Sequence, residues 1–331
     1  MTVTGPRDEV TGSFPIRAAD GSESTLQSPD RWILIEPGDR VTALFVAQAG
    51  QSDPYVFIDF ERKAPLGLLV AAFVAVVLAV ARWRGLAALA GLAIAFAVVV
   101  GFTIPALLAA QNALLVALVT SSAVMFVVMF LAHGFSARTT TALLGTLVGL
   151  GLTSGIGVWA VGAARLTGAT SEEAMWLPQI APGVTLPQIA LCGLVLAGMG
   201  VLNDVTITQA SAVWELREAA PHTPRRVLFA RAMRIGRDHI ASTVYTMAFA
   251  YVGAALAVLM NLWLMDQPVL NAVGSGQIAD EVVRTLVASI GLVLAIPITT
   301  AIAALVVPGH GAGEAGGVPA PREADLTGAP A

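Results

Sequence analysis

The segments GVLNDVTITQASAVWEL (200–216) and RAMRIGRDHIASTVYTMAFAYVGA (231–254) decide how this chain is read. Each is polar in places yet adjoins a long hydrophobic run, and a short basic turn joins the two. Read as helices, they carry ordered polar seams. Asp204, Thr208, Ser211 and Glu215 follow one another at four, three and four residues, within a narrow arc of one helix. Arg234, Asp238, Ser242 and Tyr245 form the corresponding seam on the second. Ionisable groups beside lipid need partners, so the two seams are expected to face each other. The candidate site is placed here.

Composition sets the class. The chain has 331 residues, of which 56% are hydrophobic and 12% charged, about half the charge of a soluble domain. It reads as an integral membrane protein. Cys192, the single cysteine, excludes an intrachain disulfide and any cysteine-built metal cage. Lys63 is the sole lysine, and the Ala-, Val-, Gly- and Arg-rich usage points to a GC-rich bacterial genome. The expected location is therefore the bacterial cytoplasmic membrane. The first 60 residues lack the charged, apolar and cleavage regions of an ordinary signal peptide.

Residues 1–63 are acidic, with ten Asp or Glu against six Lys or Arg. Residues 1–31 read as disordered or extended. A small extracytoplasmic β segment follows at 32–63, from runs at Trp32–Ile35, Val41–Val46 and Tyr55–Phe60 separated by turn-forming residues. Three short strands bury too little to stand alone.

From 64 to 307 the chain reads as an all-α transmembrane domain. Apolar runs of spanning length fall at about 65–82, 86–108, 113–133, 140–163, 186–205, 240–264 and 282–306, which makes seven. Arg82, Arg84, Arg138 and the arginines from Arg217 to Arg237 occupy alternate breaks, and the other breaks are neutral or acidic. By the positive-inside rule the N-terminus is outside and the C-terminus cytoplasmic. Residues 308–331 read as a disordered tail rich in Gly, Ala and Pro. In the fourth run, Gly145, Gly149, Gly151, Gly155 and Gly157 point to close helix packing, or to a broken helix lining a pathway.

Within the central stretch, Asn203, Asp204, Thr208, Ser211 and Glu215 are the candidate ligand- or ion-binding residues. Arg234, Arg237, Asp238, His239, Ser242 and Tyr245 are the candidate gate or charge network. Arg234 and Asp238 are one turn apart, and Arg234 or Arg237 can also reach across to Asp204 or Glu215. His239 is placed to move protons near neutral pH. No HExxH or P-loop occurs. Gly151-Leu152-Thr153-Ser154-Gly155 is loosely like the serine segment of an intramembrane protease, but position 152 is Leu where that pattern needs Gly. No catalytic residue, metal site or cofactor is assigned, and the chain is not expected to be an enzyme.

The two central segments, together with EVVRTLVASIGLVLAIPITT (281–300) and the entry VFIDFERKAPLG (56–67), resemble the YibE/F-like family of bacterial multi-pass membrane proteins over roughly 37–305. The resemblance implies a polytopic membrane fold with an extracytoplasmic β segment, and no particular reaction. Many relatives carry a longer N-terminal region with a further apolar segment, so either a truncated start or an incomplete β segment is expected here. Two functions then compete. In a transporter or transport-associated permease, Asp204 is the coupling carboxylate and Arg234, Arg237 and Asp238 are the cytoplasmic gate. In a non-transporting scaffold or accessory subunit of envelope assembly, the seams bind a partner. Seams facing the bundle interior favour transport; outward seams favour a partner. The expected partners are the lipid bilayer and a homo-oligomer or other membrane protein, with no nucleic acid.

Overall fold

A computed structural model describes residues 1–8, 11–18, 20–27, 33–46, 55–169, 172–265, 268, 271 and 274–309. The chain forms two compact units, Met1–Arg82 and Trp83–Ala331.

The first unit holds a five-stranded sheet: β1 (Thr2–Val3), β2 (Ser13–Arg17), β3 (Glu23–Gln27), β4 (Val41–Phe45) and β5 (Tyr55–Phe60). Its order is β1-β2-β3-β5-β4, antiparallel except for the β3–β5 pair. Alternation along the strands turns Val3, Phe14, Ile16, Leu26, Val41 and Phe57 into one small core, which Ile35 completes. Gly21, with φ of +87°, supplies the left-handed backbone of the β2–β3 turn. The sheet is thus larger than the sequence implies. Residues 1–31, read as disordered or extended, contribute three strands. Their signal was weak because Pro15 interrupts the Phe14/Ile16 alternation and β3 carries one large apolar residue, Leu26. Of the run expected at Trp32–Ile35, Trp32 lies outside the described residues and Ile33–Ile35 form no strand.

Helix α1 (Lys63–Val98) follows, with Arg62 donating to the Asp59 carboxylate at 2.6 Å just before it. That hydrogen bond holds the Asp59 carboxyl below its ordinary pKa. No residue from Lys63 to Arg82 is buried, so the first apolar run offers every face to its surroundings. Arg82 breaks the helix at φ 53°, ψ −130°.

The second unit contains the rest of α1, a π-helical turn (Val99–Thr103) and α2 (Ile104–Leu108). Then come α3 (Ala113–His133), α4 (Ala137–Ala163), α5 (Glu172–Ile180), α6 (Leu186–Ala219), α7 (Arg225–Ala254), α8 (Leu256–Leu264) and α9 (Gly276–Val306). Local chemistry sets the starts of α3 and α4: Asn112 accepts from Leu115 N–H and Ser136 from Thr139 N–H, both at 3.1 Å. Among the described residues, five helices are long and apolar enough to cross a membrane, or six if α7 and α8, bent by 63°, form one span. The seven runs expected are not separated by this count, because Lys63–Leu108 passes as one 46-residue helix.

The core is the α4–α6–α9 triangle, with Leu150, Leu194, Val195, Leu202 and Ala295 at its centre. Gly145 and Gly291 permit this approach: a methyl at Gly145 would strike Thr299 Oγ1, and one at Gly291 would strike Thr153 Oγ1. Gly149 meets Ala295 and Leu202, whereas Gly151 and Gly155 face open space. Gly145, Gly149 and Gly157 therefore serve packing, and the helix runs unbroken from Ala137 to Ala163. The alternative of a broken helix is not what forms.

Candidate functional site

The α6–α7 hairpin is built on its buried face. On α6, Leu202, Val205, Thr206, Gln209, Val213 and Arg217 turn inward. Gln209 donates Nε2–H to the Ala232 carbonyl at 2.9 Å, and Gly236 lets α7 approach both Gln209 and Ile296 of α9. Thr206 and Thr146 share a hydroxyl hydrogen bond of 2.6 Å, which joins α6 to α4. Arg217 is 7% exposed and donates from Nη1 to the carbonyls of Pro221 at 2.9 Å and Thr223 at 2.8 Å. It ties the basic turn to the end of α6.

The polar seams lie on other faces. Asp204, Thr208 and Glu215 on α6 are exposed, as are Arg234, Arg237, Asp238, Ser242 and Tyr245 on α7; Asn203, Ser211 and His239 are half-buried. The cross-helix contact among them joins Asp204 Oδ2 to His239 Nε2 at 3.8 Å, with side chains 71% and 31% exposed. The expected pairing of Arg234 or Arg237 with Asp238, Asp204 or Glu215 is not made among the described residues. Gly236 occupies the helix contact, so its flanking arginines are carried off that face. The Thr208 hydroxyl donates to the Asp204 carbonyl at 2.7 Å and is engaged on its own helix. Asn203 keeps a buried Oδ1 without a hydrogen-bond partner.

Depth can be read from the neighbours. The Thr146–Thr206 bond sets Asp204 level with a part of α4 more than two turns inside its start at Ala137. Asp204 and His239 therefore lie level with the interior of α4, on the outside of the chain's own helix bundle.

Sequence reasoning missed Thr206 and Gln209 and treated Arg217 as only one of a group of loop arginines. A usable signal was present: Gln209 and Arg217 continue the line of Leu202, Val205 and Val213, and a polar residue inside an apolar stripe marks a buried contact. Arg217→Ala is expected to lower stability by about 2–3 kcal/mol, since two carbonyls lose a charged donor. Thermal unfolding of the purified protein in detergent reads this, and an unchanged midpoint would refute the clamp.

A mostly helical chain with several apolar, membrane-length helices defines the class: a multi-pass membrane protein. A family model described as YibE/F-like protein matches residues 69–309, and the chain belongs to that family. The match takes in α3 to α9 and starts beyond the sheet, later than the 37 expected. No curated protein and no solved structure matches the chain.

Proposed function

We propose that this protein is a non-transporting scaffold or accessory subunit of a bacterial cytoplasmic-membrane complex, and that a membrane partner docks on its α6–α7 seam. One observation carries the reading. Asp204, 71% exposed, stands on the outer surface of the bundle, level with a part of α4 more than two turns inside its start, a level that this reading places in the membrane. A charged group there faces lipid unless a protein covers it, and facing lipid is costly. The exposed row through Thr208, Ser242 and Tyr245 extends that surface.

Seven spans fit this assignment. Lys63–Leu108 has 46 residues, enough for two spans of about 20 residues each. The break at Arg82 divides it at a basic break. With the α7–α8 pair as one bent span, the arginine-rich breaks fall on one side, the cytoplasm, and the N-terminus outside. Cysteine labelling is expected to reach positions 220–224 only from the cytoplasm and 170–180 only from outside; the reverse pattern would overturn the sidedness.

Transport is the weaker reading. Its coupling carboxylate and oxygens (Asp204 with Asn203, Thr208 and Ser211) belong inside a bundle, and its gate needs the arginines paired to carboxylates. No enzymatic step is assigned. Photo-crosslinking in cells from positions 208 and 242 should trap a protein, while position 119, on the exposed face of α3, should trap only lipid. Lipid alone from all three would sink the docking proposal. Solute flux by the purified protein in liposomes would restore transport.

A further inference from the structure

The α6–α7 hairpin carries rows of opposite charge at matching levels. Three contacts register its helices: Asp204 beside His239, Gln209 on the Ala232 carbonyl, and Val213 in one apolar cluster with Leu228. Counting along two antiparallel helices from those contacts sets Asp204 level with Arg237, Thr208 with Arg234, Ser211 with Arg231 and Glu215 with Arg226. Between 200 and 216, α6 is exposed at Gly200, Asp204, Thr208 and Glu215 alone, a stripe one residue wide. On α7, Arg226, Arg231, Arg234 and Arg237 share the exposed half, opposite Leu228, Ala232 and Gly236.

Among the described residues none of these arginines, nor Glu215, makes an ion pair, and Asp204 meets one ionisable group, His239 at 3.8 Å. Charged groups on such a face call for partners of opposite sign. The pattern discriminates among occupants. Anionic headgroups would suit the arginines but would be repelled by Asp204 and Glu215 at the same levels. A partner of one charge sign matches half of the surface and opposes the other half. A surface that carries both signs, acid and base level with each other, is complementary to itself.

We propose that the occupant of this seam is a second copy of the chain, an inference that rests on the docking reading above. Two copies inserted in one orientation form a closed pair about a two-fold axis along the membrane normal. That axis keeps every residue at its own depth, so the α6 row of one copy meets the α7 row of the other in register. Asp204 then faces Arg234 and Arg237 of the second copy, and Glu215 faces its Arg226 and Arg231. Each contact occurs twice in the pair.

Two differently tagged copies of the full-length protein are expressed together in cells, each with a photo-crosslinker at position 208. The expected adduct has twice the mass of the chain and carries both tags. Charge reversal then tests the geometry between copies. Glu215→Arg on both copies, or Arg226→Glu with Arg231→Glu on both, sets like charges opposite each other and should lower the adduct at least about tenfold. Glu215→Arg on one copy, with Arg226→Glu and Arg231→Glu on the other, restores opposite charges at both contacts. The two-tag adduct should then return close to the wild-type level, and its return shows that both variants insert and fold. Where a reversed charge blocks insertion, the milder Glu215→Gln and Arg226→Gln, each on both copies, should lower the adduct by a smaller factor. Adducts of two copies that ignore all these changes would overturn the proposal. Adducts of another mass, never with both tags, would overturn it and leave the docking reading standing. Lipid alone from positions 208 and 242 would sink both.

Discussion

Gly291→Leu is expected to abolish the folded bundle, and Gly145→Leu to do the same from the facing helix. A single methyl at 291 would already collide with Thr153 Oγ1 and stand 3.0 Å from its Cβ. Thr153 has no freedom to withdraw, because it is fully buried and its hydroxyl donates to the Gly149 carbonyl at 2.8 Å. Gly149 in turn is held 3.0 Å, measured to an added Cβ, from both Ala295 and Leu202. Overpacking a tight core by a methylene or so costs about 1–3 kcal/mol, so Gly291→Ala should fall in that range. Leucine adds four carbons and needs the α4–α9 pair to separate. Thr153→Ala removes the colliding hydroxyl and should recover part of the Gly291→Ala loss, a coupling that distant sites would not show. Gly151→Leu is the control. It faces open space on the same helix and should change stability by less than about 1 kcal/mol, with a gain in helix propensity. Fluorescence-detected size exclusion and thermal unfolding in detergent read all five. Monodisperse Gly291→Leu with an unchanged midpoint would mean that α4 and α9 do not meet at this contact.

The sequence carried the helices more plainly than their faces. Apolar runs broken by arginines mark where α3, α4, α6 and α9 lie, because spanning length leaves little choice. The inward face of each is a different matter. In lipid both sides of a helix are apolar, so periodicity shows the Asp204–Thr208–Ser211–Glu215 row as a seam and leaves its direction open. The better pointer to the interior was small residues: Gly145, Gly149 and Gly291 mark the α4–α6–α9 core. The bend at Ala254–Leu256 has no proline to announce it. The sheet was hard to read for another reason. Its β3–β5 pairing is parallel and joins residues far apart in sequence, so neither local alternation nor turn chemistry specifies it. The Glu281–Asp280 pair looked like an acidic loop end, and only the packing around α9 reveals that Asp280 is buried.

Asp204→Asn should separate the fold from the assembly. In the isolated chain the Asp204 carboxylate is 71% exposed and, among the described residues, meets one ionisable neighbour, His239, at 3.8 Å. An exposed pair of this kind contributes at most about 1 kcal/mol, so the purified variant should unfold within a few degrees of wild type. Arg234 and Arg237 make no ion pair with Asp204, so Arg234→Gln or Arg237→Gln should neither worsen nor rescue it. On the docking proposal, the partner covers the same carboxylate in the assembled state and must match it with a cationic or hydrogen-bonding group. Removing one member of a desolvated pair costs about 3–5 kcal/mol, more than a hundredfold in affinity. Crosslinking from positions 208 and 242 should therefore collapse in Asp204→Asn while the protein remains folded and inserted. Two results would refute this. Loss of stability in the isolated chain as large as the loss of crosslinking would make Asp204 an internal structural residue. Unchanged crosslinking with unchanged stability would place Asp204 in water at the membrane edge, and the α6–α7 seam would cease to be a docking face.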